Sequence, residues 1–180
     1  MIQITGNMWQ PATYRLISDA ICITTNGYIK ANGEAVMGRG CAAEAARLFP
    51  HLPRTLGEFI RRDGNVVSVL TGVNINHPQW LVSFPVKPQH RSCAPDKLNV
   101  VRHMRSKFSS GAMVPGWACI ASLEIICRSA QQLKDLATEN EWRTVILPRP
   151  GCGAGELKWE NVCPTLSSIL DDRFYVITRE

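Results

Sequence analysis

The sequence predicts an α/β sandwich built around a largely parallel sheet. Short apolar runs of strand length alternate along the chain with longer stretches whose apolar residues recur at helical spacing. The chain has 180 residues, of which 45% are hydrophobic and 19% charged, which is typical of one ordinary globular domain. Because parallel strands are joined by crossover helices, the alternation is itself the reason to expect a parallel sheet.

Each predicted element has its own local pattern. Residues 20–24 form a compact apolar run, as a buried strand does, and residues 41–48 are rich in alanine and stop before Pro50. Between residues 123 and 140 the apolar side chains fall on one helical face. The predicted strands are 2–4, 20–24, 66–71, 80–84, 144–147 and 174–178, the predicted helices are 41–48, 56–62, 98–108, 123–140 and 159–170, and a turn is predicted at 114–116.

Composition excludes several classes of protein. We expect one domain over residues 1–180, with no internal repeat and no linker. No apolar run approaches the roughly 18 residues of a membrane span, and the N-terminus lacks the basic-then-apolar order of a signal peptide, so we expect a cytoplasmic protein without a membrane partner. The seven cysteines form no Cys-x-x-Cys pair, which favours free buried thiols over disulfides or a zinc site. No motif requires a cofactor or a metal, and a monomer is expected.

The positive charge is concentrated in one stretch. The net charge is +5, and residues 87–107 carry six cations against the single acid Asp96, so this stretch accounts for the whole excess. A concentrated basic stretch indicates phosphate nearby, in a nucleotide or in single-stranded nucleic acid, while a solvated helix face is the alternative. The six cations are Lys87, Arg91, Lys97, Arg102, Arg105 and Lys107.

Two glycine-rich loops, each between a predicted strand and a predicted helix, carry the clearest chemistry. Residues 36–42 lead into the first helix, and residues 151–155 follow the strand at 144–147. Glycines let the backbone approach a ligand, and the unpaired amides at a helix N-terminus attract anions. Two such loops suggest a ligand with two phosphates or a bent, dinucleotide-like body, although either loop alone can be structural. Neither matches the P-loop or the Gly-x-Gly-x-x-Gly pattern.

The flanks of these loops form a longer series of motifs. In order they are Gly6-Asn7-Met8, Thr24-Thr25-Asn26-Gly27, Ala35-Val36-Met37-Gly38-Arg39-Gly40, Ser83-Phe84-Pro85-Val86-Lys87 and Leu147-Pro148-Arg149-Pro150-Gly151-Cys152-Gly153, with Leu157 and Trp159. Together they resemble a macrodomain over residues 2 to 178. The chain is most similar to the branch that removes ADP-ribose from acidic side chains and to the related antitoxin macrodomain that removes it from DNA bases; similar stand-alone chains occur in bacteria and bacteriophages. The resemblance implies a three-layer α/β/α sandwich with a mixed, mostly parallel sheet.

The resemblance also implies an ADP-ribose pocket. Asn7 stands where the family more often has the aspartate that hydrogen-bonds the adenine amino group, and Asn26 matches the asparagine near the distal ribose. The two glycine loops would wrap the diphosphate. The implied ligand-binding residues are Asn7, Met8, Asn26, Met37, Gly38, Arg39, Gly40, Cys41, Gly151, Cys152, Gly153, Ala154, Gly155 and Glu156.

Lys87 is the candidate catalytic residue. In the DNA-directed branch a lysine in Phe-Pro-Thr-Lys performs catalysis, and Lys87 matches it. An amine beside an anomeric carbon can attack that carbon if burial or neighbouring cations lower its pKa, whereas the alternative is a lysine that only pairs with a phosphate. The branch that acts on acidic side chains has an aspartate where this chain has Gly155. We therefore expect a base-linked substrate in preference to a glutamate-linked one.

The predicted function is an ADP-ribosyl hydrolase that acts on a modified macromolecule. The alternatives are a reader that binds ADP-ribose without chemistry, and a phosphatase that acts on ADP-ribose 1″-phosphate. A cysteine phosphatase built on Cys152 is disfavoured, because the arginine that such enzymes carry six residues later is replaced by Lys158. A basic insertion at about 96–121, with Trp117, either holds a nucleic-acid strand or covers a sheet edge, and we favour the second.

Overall fold

A computed structural model describes residues 1–9, 18–72 and 79–179. Within these ranges the main sheet contains β1 (Ile2–Thr5), β2 (Ala20–Asn26), β3 (Ser68–Gly72), β4 (Trp80–Lys87), β7 (Val145–Pro148) and β8 (Phe174–Thr178), and a separate antiparallel pair contains β5 (His90–Ser92) and β6 (Met113–Pro115). The order of the main sheet is β1-β8-β7-β2-β4-β3. All neighbouring pairs are parallel except β3 with β4. The prediction of a mixed, mostly parallel sheet is confirmed.

Helices cover both faces of the main sheet. They are α1 (Cys41–Leu48) and α2 (Leu52–Asp63) on one face, and α3 (Leu123–Glu139) and α4 (Trp159–Ile169) on the other. Side chains alternate along β2, so Ile21 and Ile23 pack in the core with α1 and α2, while Ala20 and Cys22 pack in the core with α3 and α4. Both faces of the central strand are buried, which explains its continuous apolar run. The predicted three-layer α/β/α sandwich is confirmed.

The order in which the chain adds strands to the sheet reverses beside β2. From β2 it passes to β3 and β4 on one side, and after α3 it crosses to β7 and β8 on the other. Ligand crevices in open α/β sheets lie at such a point, outside the carboxyl ends of the strands. The segments 27–40 and 149–158 follow β2 and β7, so both glycine loops meet at this crevice.

Residues 90–119 form a small core of their own. Five buried side chains make this core, and Trp117 packs against it. Two short 3₁₀ helices, Arg102–Lys107 and Gly116–Ala118, connect the pieces around the β5–β6 pair. The buried residues are Cys93, Val100, Val114, Ala118 and Cys119.

This region departs most from the sequence prediction. Lys97 has φ 58°, and the Asn99 side chain accepts the Ala94 amide and donates to the Ser92 carbonyl. These local hydrogen bonds compete with a helix, because they satisfy backbone groups in a turn instead. Of the predicted helix 98–108, only the 3₁₀ helix Arg102–Lys107 is present. The predicted turn 114–116 is instead the end of β6 followed by the start of the 3₁₀ helix Gly116–Ala118. Strand β5 was not predicted.

The remaining differences are shifts of element ends. Helix α2 begins at Leu52 rather than at residue 56, and Pro53 occupies its first turn, where the missing amide costs nothing. Strand β3 begins at Ser68 rather than at residue 66, and β4 continues past residue 84 to Lys87. Among the described residues, no helix is both long enough and apolar enough to cross a bilayer.

Candidate ligand-binding site

A large cavity lies at the carboxyl ends of the strands, where the two glycine loops meet. Its volume is about 600 Å³, which is in the range of small-ligand sites. All the residues that the sequence singled out for binding or catalysis line it, except Gly151 and Glu156. Those that line it are Asn7, Met8, Asn26, Met37, Gly38, Arg39, Gly40, Cys41, Lys87, Cys152, Gly153, Ala154 and Gly155.

The first glycine loop presents bare backbone to the cavity. Gly38 has φ 60° and Gly40 has φ 67°, a left-handed conformation that side chains disfavour. No heavy atom of the described residues lies within 4 Å of a Cβ built on either glycine, so the space above them is open. Gly40 is the N-cap of α1 and supplies no side-chain cap, which leaves the amides of the first turn for an anion.

Two asparagines are held in fixed orientations at the cavity wall. Asn26 is 6% exposed; its Nδ2 donates to the Val36 carbonyl at 2.7 Å, and its Oδ1 accepts the Tyr28 amide at 3.0 Å. It thereby ties the end of β2 to the start of the first glycine loop. Asn7 Oδ1 accepts the Trp9 amide at 3.0 Å and keeps a second lone pair for a ligand.

The second glycine loop is tightly packed at two of its glycines. A Cβ on Gly155 would overlap the Gly151 carbonyl oxygen and lie 2.7 Å from the Ala121 Cβ. Gly151 has φ 75°, and a Cβ there would lie 2.9 Å from the same Ala121 atom. Gly153 differs, because no described heavy atom lies within 4 Å of its Cβ position. No side chain fits at Gly155, so the loop has no room for an aspartate at this position.

Lys87 ends β4 with its side chain buried in the cavity wall. The residue is 6% exposed, and Nζ donates to the carbonyl oxygens of Ala154 at 2.8 Å and Trp117 at 3.2 Å. Burial lowers the pKa of the Lys87 amine to about 8, and the charge of Arg39 acts in the same direction. The carboxylate of Glu156 acts in the opposite direction. With this pKa roughly a tenth of the amine is neutral at pH 7, a far larger share than in an ordinary lysine.

The main chain of Lys87 is anchored from a distant part of the sequence. Asn65, between α2 and β3, donates from Nδ2 to the Lys87 carbonyl at 2.9 Å. The Ser122 amide donates to the preceding carbonyl, that of Val86, also at 2.9 Å. Nothing in the sequence around Asn65 signals this contact, because it joins residues 22 positions apart through the folded sheet.

Residue Glu156 supports the cavity wall instead of lining it. Its carboxylate accepts the Arg102 backbone amide at 3.0 and 3.1 Å, at the first residue of the 3₁₀ helix. The next residue, His103, lines the cavity, and its Nε2 lies 3.4 Å from Nη2 of Arg39. Glu156 thus connects the second glycine loop to the helix that carries His103. Helix α4 begins only at Trp159, so Glu156 is not in its first turn.

The predicted basic stretch is divided by the fold. Lys87 is buried in the cavity wall, whereas Arg91, Arg102 and Lys107 are exposed. Arg105 is half-buried and donates from Nε to the backbone at Val100. These cations therefore do not form one solvated helix face.

Four charged or titratable residues line the cavity without having been singled out for it. Glu44 and Arg179 form an ion pair with each other. The other two are His103 and Arg149, and Arg149 had been quoted only as part of a motif. The signal available for Arg149 is its place directly after a buried strand, at the edge where ligands bind.

The two cysteines that line the cavity are poor nucleophiles at neutral pH. Burial raises the pKa of the Cys152 thiol, and the charge of Arg149 only partly offsets this, so the reactive thiolate is scarce at neutral pH. Lys158 does not line the cavity. Burial also raises the pKa of the Cys41 thiol, which lies 3.3 Å from the Thr24 hydroxyl. Within residues 1–9, 18–72 and 79–179, no cluster of His, Cys, Asp and Glu is arranged to hold a metal ion.

Several solved structures with a similar fold are macrodomains. No protein-family model matches the sequence, and no curated protein matches it. Among solved structures, the macrodomain of Mycobacterium tuberculosis DarG is 18% identical with a TM-score of 0.67, and that of Thermus aquaticus DarG is 20% identical with a TM-score of 0.66; each match covers 99% of this chain and 97% of the other. Thermosipho africanus DarTG, solved in complex with ADP-ribose, is 15% identical with a TM-score of 0.61, and the match covers 91% of this chain and 38% of that one. At these identities the likeness shows the fold.

Proposed function

Because the chain has the macrodomain fold, we propose that its cavity binds ADP-ribose and that the protein hydrolyses the bond between ADP-ribose and a modified macromolecule. The observation that carries the proposal is a single buried amine. Lys87 has a lowered pKa and sits at the cavity wall, beside the loop that is suited to the diphosphate.

The two glycine loops supply the binding part of the proposal. The open amides at Gly40 and the loop around Gly153 line the same cavity, which suits a ligand with two phosphates. Asn7 has an acceptor lone pair left for the adenine amino group, and Asn26 is held at the cavity wall where the proposal puts the distal ribose. Thermosipho africanus DarTG, part of which is similar in fold to this chain, was solved in complex with ADP-ribose, and this supports the choice of ligand.

Lys87 supplies the catalytic part. A neutral amine that donates its two N–H groups to the carbonyls of Ala154 and Trp117 directs its lone pair away from both. In the proposed reaction this lone pair forms a bond to the anomeric carbon of the distal ribose, and the glycosidic electron pair leaves with the base, which takes a proton from the nitrogen. Water then replaces the nitrogen at that carbon and releases ADP-ribose. The amine is restored.

The second loop favours a base-linked substrate over an acid-linked one. Gly155 leaves no space for the aspartate that the branch acting on acidic side chains carries there. Glu44 is a carboxylate of the cavity wall, but it is engaged by Arg179. Arg102 and Lys107 are the exposed first and last residues of the 3₁₀ helix, whose His103 lines the cavity. Both cations can hold the phosphates of a nucleic-acid strand. We therefore propose single-stranded DNA that carries ADP-ribose on a base as the substrate.

Release of ADP-ribose from modified single-stranded DNA is the direct test. We expect the wild-type protein to release it, and Lys87→Ala to retain ADP-ribose binding while turnover falls by at least about a hundredfold. Lys134→Ala, which removes an amine on α3 outside the cavity, is the matched control and keeps full activity.

Three outcomes contradict the proposal in different ways. If the wild type binds ADP-ribose but releases none from DNA or protein, the protein is a reader. If it releases only phosphate from ADP-ribose 1″-phosphate, the protein is a phosphatase. If calorimetry shows no preference for ADP-ribose over ADP and NAD, the binding assignment itself is wrong.

A further inference from the structure

Arg149 is an unusual cation in the cavity wall. It follows β7 directly, is half-buried, and lines the cavity. Its guanidinium carbon lies 4.8 Å from the centre of the Trp159 ring, a cation–π contact that holds the group against the ring. Gln3 Oε1 accepts from Trp159 Nε1 at 3.0 Å and is 3.5 Å from Arg149 Nη2, so the two side chains share one neutral acceptor.

No negative charge in the described part of the chain balances Arg149. The described ion pairs do not include it, whereas Arg179, the other arginine at this end of the cavity, is paired with Glu44. Its Nε is buried and has no hydrogen-bond partner among the described residues. A partly desolvated cation held rigidly without a counter-charge is costly unless a ligand supplies the charge.

The position of Arg149 identifies which part of the ligand it meets. Its side chain reaches Gln3 on β1, whereas Lys87 ends β4. Arg149 follows β7, two strand spacings or about 10 Å from β4, and its side chain extends from there to Gln3 on β1, the strand at the sheet edge farther from β4. If the distal ribose lies at Lys87, as the proposed function requires, then the adenosine lies at the Arg149 end.

We propose that Arg149 forms a subsite for a phosphate group on the adenosine ribose, beyond the diphosphate. This inference rests on the proposed function for the direction of the ligand. ADP-ribose itself carries no charge at its adenosine end, so a guanidinium without a carboxylate partner among the described residues favours a form that has a phosphate on the 2′-hydroxyl. A planar guanidinium held against the Trp159 ring can make two parallel hydrogen bonds to such a phosphate.

The test compares ligands that differ only by this phosphate. ADP-ribose and its 2′-phosphorylated form are titrated calorimetrically into the wild type, Arg149→Gln and Arg143→Gln. The last is a matched control, because Arg143 is an exposed arginine at the opposite end of β7 and does not line the cavity. We expect the 2′-phosphate to strengthen wild-type and Arg143→Gln binding by about tenfold, and Arg149→Gln to lose this gain while it keeps its affinity for ADP-ribose.

Other results overturn the subsite. One is equal wild-type affinity for the two ligands, and another is a gain that survives in Arg149→Gln. A third is an equal loss of affinity for both ligands in that variant, which would place the guanidinium on the diphosphate or on adenine.

Adenosine 2′,5′-bisphosphate and AMP provide a separate comparison, because they lack the distal ribose. If ADP-ribose does not bind, the proposed function fails, and this second pair still decides the subsite: a preference for the bisphosphate that requires Arg149 supports it, and no preference refutes it.

Discussion

Gly153 and Gly155 lie in the same loop, but only Gly155 is closely surrounded by other atoms, so substituting each glycine tests the packing of the loop. A Cβ on Gly155 would overlap a main-chain oxygen and press on Ala121, and neither atom can rotate away. Overpacking of this kind costs about 1–3 kcal/mol, and because the obstruction includes backbone we expect Gly155→Ala to lower the free energy of unfolding by about 3 kcal/mol. For a domain of this size that corresponds to a fall in Tm of about 6–12 °C.

Gly153→Ala is the matched control, two residues away in the same loop. No described atom obstructs its Cβ, and its φ is not in the left-handed region, so alanine meets neither a clash nor backbone strain. We expect its free energy of unfolding to stay within about 1 kcal/mol of the wild type, with a small gain from the stiffer unfolded chain.

Urea unfolding followed by tryptophan fluorescence measures both variants, since the chain has five tryptophans. The m-value should be unchanged, so that the shift in midpoint reports stability alone. Equal stability of the Gly155→Ala and Gly153→Ala proteins would refute the packing argument. It would also remove the physical reason for doubting that an aspartate fits at position 155.

Three further predictions concern the cavity. The single-turnover rate should rise about tenfold per pH unit below about pH 8 and level off above it, because burial lowers the pKa of Lys87 to about 8 and only the neutral amine attacks; a rate independent of pH would exclude this role. Gly40→Ala should cost about 1–3 kcal/mol in urea unfolding, because it forces alanine to φ 67° and ψ −142°, and should weaken ADP-ribose binding in calorimetry; full affinity would argue against this loop as the phosphate site. Glu156→Ala should speed hydrogen exchange of the Arg102 amide by about tenfold, while Glu156→Gln keeps the acceptor and the protection; equal exchange in all three proteins would show that another contact orders the helix.

The buried strands and the helices that pack on the main sheet could be predicted from the sequence. The runs at 20–24, 144–147 and 174–178 are strands within one or two residues of the predicted ends, because a strand buried on both faces is apolar at every position. The helix at 123–140 was equally clear, since its periodic apolar face packs on the sheet. Residues 90–119 were harder, because their short strands and 3₁₀ turns depend on a small local core and on side-chain hydrogen bonds such as those of Asn99.

The candidate site divides along the same line. The sequence predicted that each glycine loop follows a strand of a parallel sheet, and the resemblance to macrodomains singled out Lys87; that β4 continues to Lys87 was found only in the structure. The sequence had no means of finding that Asn65 holds the Lys87 carbonyl, or that Glu156 turns away to the Arg102 amide. Such contacts join residues that are far apart in the chain and share no motif.

By itself, the sequence determined the sandwich, the succession of the main-sheet strands and their flanking helices along the chain, and the two glycine loops that follow strands, because periodicity, glycine and strand ends are local properties of the chain. Only the tertiary structure decided the charge state of the Lys87 amine, the exclusion of a side chain at Gly155 and the lack of a carboxylate partner for Arg149 among the described residues. Those three properties depend on burial and on neighbours brought together from distant segments. Desolvation, steric exclusion and ion pairing all act through space, and the distances that govern them exist only in the folded chain.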